Sequence, residues 1–125
     1  MYEAIFRMTA QVRSDEQGQR VFHVTEREAP AGDEAFLSRL RTLYQQEVSA
    51  SLREGDDFTV AVRLDLPPRE VERTVHMRED GLFEGEGMQE ATTDPLPFMQ
   101  AFYGPLMQMV KPGDVFTITF RVQRS

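Results

Sequence analysis

The sequence contains no cysteine, only two histidines, and one lysine among its 14 basic residues. Absence of cysteine excludes disulfides, thiolate nucleophiles, zinc ribbons and iron–sulfur clusters, and the composition fits a reducing, cytoplasmic setting. The two histidines, His23 and His76, stand far apart with no second ligand at metal-binding spacing, so no metal and no cofactor is expected. No basic run exists, and the net charge is −7. Nucleic-acid affinity rests mainly on neutralising phosphates, so direct nucleic-acid binding is not expected.

Long apolar runs are missing too. The most apolar region, 96–110, is interrupted by Pro97, Gly104 and Pro105, and is shorter than the about 20 residues a membrane-spanning helix needs. The opening MYEAIFRMTAQV alternates and carries acid early, unlike a secretory signal. No serine lies in a nucleophile elbow, and the glycines of DGLFEGEG precede no Lys-Ser/Thr, so neither a hydrolase nor a phosphate-loop motif is present.

What remains is strongly patterned. Tyr2, Ala4, Phe6, Met8, Ala10 and Val12 share one parity and Glu3, Arg7, Gln11 and Arg13 the other, which predicts a long half-buried strand. SDEQG at 14–18 is a turn, and 19–26 reads as the returning strand. After EAPAG at 28–32, Asp33 is the expected N-cap of a helix. Its stripe is Phe36, Leu37, Leu40, Leu43, Tyr44, Val48 and Leu52, and its end lies near Glu54–Gly55. A strand follows, with Phe58, Val60, Val62, Leu64 and Leu66 alternating against polar positions.

The second half repeats this order. Residues 70–78 read as a strand, 79–81 as a turn, and 82–88 as a short strand weakened by glycine. Asp94 and Pro95 open a helix that Gly104–Pro105 is expected to kink or split. The last strand alternates through Phe116, Ile118, Phe120 and Val122. GDDFTVAVRL at 55–64 and GDVFTITFRV at 113–122 share five of ten positions and exchange apolar residues at three more. They read as the third strands of two β-β-α-β units, 1–66 and 67–125, an internal repeat within a single domain spanning 1–125. The predicted class is α+β: an antiparallel or mixed sheet of about six strands, with two helices mainly on one face.

Two surfaces stand out as candidates. The second helix is apolar nearly all round, which predicts burial on more than one side. Phe98, Met99, Phe102, Tyr103, Met107 and Met109 are its candidate partner-binding residues, facing another protein or a second copy in a homo-oligomer. The run 79–94 carries Asp80, Glu84, Glu86 and Glu90 and no cation, so it forms a candidate acidic surface, either a solvated edge or an attraction for a basic partner. Glu84 and Glu86 are expected to project from one face of a strand as a carboxylate pair, the arrangement a divalent-ion or acid/base site would use, although no ladder of calcium-loop ligands accompanies them.

The leading reading is a small acidic, non-enzymatic protein acting through protein–protein contact, with no catalytic residue assigned. A second is a small-molecule binder or enzyme with a pocket between the sheet and helix 95–110, drawing on Tyr103, His76, Arg73, Glu84 and Glu86. A third is an acidic inhibitor occupying the nucleic-acid-binding cleft of another protein.

Overall fold

The computed structural model describes residues 1–24, 29–65 and 67–125. In chain order it forms β1 (Tyr2–Ser14), β2 (Arg20–Val24), α1 (Asp33–Leu43), a π-helical segment (Tyr44–Val48) and a last helical turn, α2 (Ser49–Ser51). Then come β3 (Asp57–Leu64), β4 (Arg69–Met77), β5 (Phe83–Glu84), α3 (Leu96–Gln108) and β6 (Val115–Arg124). The six strands make one sheet in the order β2-β1-β6-β3-β4-β5, with every neighbouring pair antiparallel. The class is α+β.

Alternation along each strand sorts the side chains onto two faces. Phe58, Val60, Val62 and Leu64 of β3 face Val122, Phe120, Ile118 and Phe116 of β6 in register. All eight are buried, in one core with the helical residues Phe36, Leu40, Tyr44, Val48, Met99 and Tyr103. Phe22 stacks on Phe36 with centroids 4.5 Å apart, and Phe116 meets both edge-on at 5.7 and 5.6 Å. Opposite the helices the sheet is polar: Thr9 pairs with Thr117 (3.0 Å between hydroxyl oxygens) and Thr59 with Thr74 (2.7 Å).

The buried residues of the first helical body, Phe36, Leu40, Tyr44 and Val48, recur every fourth position. At 3.6 residues per turn such a row drifts by about 40° per step. The wider π turn at 44–48 takes back part of that drift, so Tyr44 still packs 5.3 Å from Phe58 and 6.5 Å from Phe120 between ring centroids.

Several sequence expectations need adjustment. Gly32, not Asp33, is the N-cap of α1, and no side chain caps it. The Asp33 carboxylate instead pairs with Arg20, drawn by a full positive charge. The first helical body ends at Ser51, because Leu52 is already extended. Asp94 sits one residue before the N-cap Pro95, and its Oδ1 accepts the Leu96 amide at 3.1 Å. Helix α3 runs unbroken through Gly104 and Pro105. Pro105 leaves the Ala101 carbonyl without its helical donor, but both residues are exposed and water can replace it. Strand β5 is two residues long rather than seven, so Glu86 falls in a turn and makes no strand-face pair with Glu84. Thr25, Glu26, Glu28 and Leu66, which entered the expected elements, lie outside the described residues.

The two halves share local contacts as well as element order. Gly55 N–H donates to Met77 O and Gly113 N–H to Val12 O, both at 2.8 Å. Asp56 Oδ2 accepts the Arg53 amide at 2.9 Å, and Asp114 Oδ2 accepts the Lys111 amide at 2.8 Å. Isolated bridges join Phe22 to Ala31 and Phe83 to Thr92. Exchanging β1, β2 and β3 for β4, β5 and β6 leaves the strand order unchanged.

Candidate functional site

Helical phase divides the six apolar candidates of α3. Met99, Tyr103 and Met107 face the sheet and are buried. Phe98 is half-buried, Phe102 is 37% exposed and Met109 57%. The outward set, Phe98, Phe102 and Met109, is the part of the helix that a second molecule can touch. Phe102 already carries a cation on its face, the Arg73 guanidinium, 4.1 Å from the ring centroid. Arg73 shares the core-facing parity of Val71 and Val75, and its Nε is buried with no hydrogen-bond partner among the described residues.

The acidic residues also divide. Asp80 binds Arg78 at 2.9 Å, and Glu84 approaches the same guanidinium at 4.0 Å. Glu86 and Glu90 are exposed and, among the described residues, make no ion pair, and neither does Asp94. Among the described residues the carboxylates of the run without an ion pair are therefore Glu79 at its start and Glu86, Glu90 and Asp94 beyond β5, on the loop leading to α3.

That loop and the first turn of α3 enclose an open groove of about 330 Å³, lined by Gly87, Met88, Gln89, Glu90, Thr92, Asp94, Pro97 and Phe98. Met88, Pro97 and Phe98 give it an apolar floor, while Glu90 and Asp94 supply charge. Two glycines shape the approach. A Cβ on Gly85 would lie 2.9 Å from Val75 Cγ1 and 3.2 Å from Thr74 O, so only glycine lets the chain lie this close to β4. Gly87 has φ 88, a left-handed conformation that turns the loop back over the Phe98 ring. Thr92 and Asp94 then lock the entry to α3: Asp94 N–H donates to Thr92 Oγ1, which donates to Asp94 O, each at 3.2 Å.

The sequence brought Phe98 and Glu90 forward separately, and the fold puts them on one groove. It did not single out Met88 or Pro97, whose role depends on a loop contact with no periodic signature. The negative charge of Asp94 also reaches the core. Burial first, and Asp94 second, push the Tyr44 hydroxyl up to about 12. Burial also raises Tyr103, against an opposing effect from Arg41.

Of the residues of the small-molecule reading, His76 and Glu84 are cross-strand partners on β4 and β5, but the five do not converge on one pocket. Tyr103 is buried beneath α3, Arg73 stacks on Phe102, and His76 lies on the polar sheet face, its Nδ1 2.9 Å from Asp57 Oδ1. Between α1 and α3 lies a cavity of about 170 Å³, lined by Arg20, Phe22, Asp33, Leu37, Gln100, Gly104, Met107 and Gln108. It is smaller than the few hundred Å³ usual for ligand sites. Its cation is also committed: Arg20 binds Asp33 and donates to the carbonyls of Met107, Gln108 and Val110 at 3.1–3.2 Å, capping the C-terminus of α3. Among the described residues no group of three or more His, Cys, Asp or Glu side chains is placed to hold a metal, and no helix is long and apolar enough to cross a membrane. No family model, curated protein or solved structure matches the chain.

Proposed function

We propose that this protein works by binding another protein, holding a short basic segment of it in the groove between loop 85–94 and the start of α3. The observation that carries this reading is the coincidence of an apolar floor with unpaired carboxylates. A side chain such as Leu or Phe fits against Met88, Pro97 and Phe98, while flanking Arg or Lys side chains reach Glu86, Glu90 and Asp94. The net charge of −7 favours the same partner by steering its approach. Phe102 and Met109 extend the apolar surface along α3 beyond the groove.

Calorimetric titration with a peptide carrying a central Leu between arginines tests the reading. Binding is expected to weaken steeply with added salt and to disappear in Glu90→Lys and Phe98→Asp. Equal binding of an otherwise identical peptide with Glu in place of Arg would overturn it, as would no binding at low salt.

The finer architectural reading is that 1–66 and 67–125 are pseudo-symmetric units of one origin. The matched Gly-Asp turns, isolated bridges and strand order support it. Failure of the two halves to superpose strand for strand in an experimental structure would remove it.

A further inference from the structure

We propose that β1 carries a second interface, distinct from the groove, through which two copies of this chain join edge to edge into one continuous sheet. Among the described residues, β2 pairs with Ala10–Ser14 of β1. On that side Tyr2–Met8 has no strand partner among the described residues, although its other side is paired with β6 along its whole length. Val12 directs both its N–H and its C=O toward the β6 side, to Asp114 and Gly113, and Asp15 N–H points toward β2. The register with β6 is continuous from Tyr2 to Gln11, without a bulge. Odd-numbered residues therefore turn their backbone groups to the open edge, so Glu3, Ile5 and Arg7 each present one donor and one acceptor there.

Unpaired edges of this kind are commonly protected by charge, and the two ends of this sheet differ in that respect. Strand β5 pairs only with His76 and Met77, leaving Arg69–Val75 of β4 similarly open among the described residues. That stretch carries four charges, Arg69, Glu70, Glu72 and Arg73. Antiparallel self-pairing about its middle residue would set Glu72 against Glu72 of the second copy. The β1 stretch carries only Glu3 and Arg7, among Tyr2, Ala4, Ile5, Phe6 and Met8. Tyr2 is 40% and Ile5 41% exposed.

A second copy fits this edge better than an arbitrary strand, because the sequence is self-complementary about Ile5. Antiparallel pairing centred there sets Glu3 opposite Arg7 of the second copy, and Arg7 opposite its Glu3, on either side of an Ile5–Ile5 contact on the polar face. On the helix face it sets Ala4 opposite Phe6, small against large, and Tyr2 opposite Met8. The three outward residues of each copy form six backbone hydrogen bonds across the axis. Opposite charges directly across a ladder stabilise it and like charges destabilise it, so the same pairing that draws two copies together also fixes their register.

Sedimentation velocity at micromolar concentration tests this with the whole chain. The expected species has about twice the 14.4 kDa chain mass. Ile5→Lys, which opposes two like charges at the axis, is expected to give monomer. Glu3→Arg is expected to weaken the dimer by roughly tenfold or more, and Glu3→Arg combined with Arg7→Glu to restore it. Glu3, Ile5 and Arg7 are exposed, so each variant should keep the thermal melt of a folded domain. A monomeric wild-type protein, a dimer indifferent to Ile5→Lys, or no recovery in the double variant would each overturn the proposal.

Discussion

Replacing Phe116 tests whether the aromatic cluster is what fastens the first unit to the centre of the sheet. Phe116 is fully buried on β6, edge-on to Phe22 of β2 and to Phe36 of α1. One ring therefore touches an edge strand and a helix from a central strand. Phe116→Leu keeps most of the apolar volume but removes two edge-to-face contacts, each worth about 0.5–1.5 kcal/mol, so a loss of about 1–3 kcal/mol is expected. Phe116→Ala adds the cavity, for about 3–5 kcal/mol, a large share of the about 5–15 kcal/mol that holds a typical domain together. Urea denaturation followed by circular dichroism measures both. The midpoint should fall in the order wild type, Leu, Ala, at constant slope for the Leu variant. A Phe116→Leu midpoint equal to wild type would show that the cluster adds nothing beyond apolar volume and refute the argument.

Asp56 gives a prediction with a defined pH sense. It is fully buried, and its carboxylate accepts from Arg124 Nε at 2.7 Å and Nη2 at 2.9 Å. Burial alone would raise its pKa, but the Arg124 bond, the Arg53 amide and both positive charges together hold it below the ordinary 3.8. A depressed carboxyl contributes stability above its unfolded pKa and loses it as pH falls through the folded one. Melting temperature should therefore drop on acidification below about pH 4. Asp56→Asn should melt lower at neutral pH and show a shallower acid decline, and parallel acid limbs would contradict this. Gly85→Ala must push a methyl into Val75, so a melting temperature at or above wild type would show that the loop yields freely there. Reversing Arg20 to Glu puts a second carboxylate beside Asp33 and strips the cap from α3. Faster amide exchange in the last turn of α3 is expected, and unchanged exchange at Met107–Val110 would count against the capping role.

Strand parity and helix spacing were legible in the sequence because each depends on neighbours a few residues away. Alternation at Phe58–Leu64 and Phe116–Val122 identified the two central strands, and the Phe36–Val48 stripe identified the face that meets them. Details controlled by distant partners were not legible. Asp33 was an obvious cap by position, yet Arg20, 13 residues earlier, draws its carboxylate away. The all-round apolar character of α3 was plain, but only the sheet beneath it shows that Met99, Tyr103 and Met107 are core while Phe98, Phe102 and Met109 look outward. The acidic run read as one surface because its nearest cation, Arg78, lies just outside it. In the fold that arginine is shared between Asp80 and Glu84, while among the described residues no cation pairs with the Glu86–Asp94 end. The groove was invisible for a related reason: its floor comes from Met88 and Phe98, ten positions apart and joined only by the turn at Gly87.

Amide chemical-shift mapping of the labelled protein, titrated with the Arg-Leu-Arg type of peptide, tests the binding account most directly. Saturable shifts concentrated in residues 86–98 are expected, with Glu90, Thr92 and Phe98 among the largest, and their loss in Glu90→Lys. Shifts centred on the polar sheet face, or none in 86–98 at saturating peptide, would contradict it.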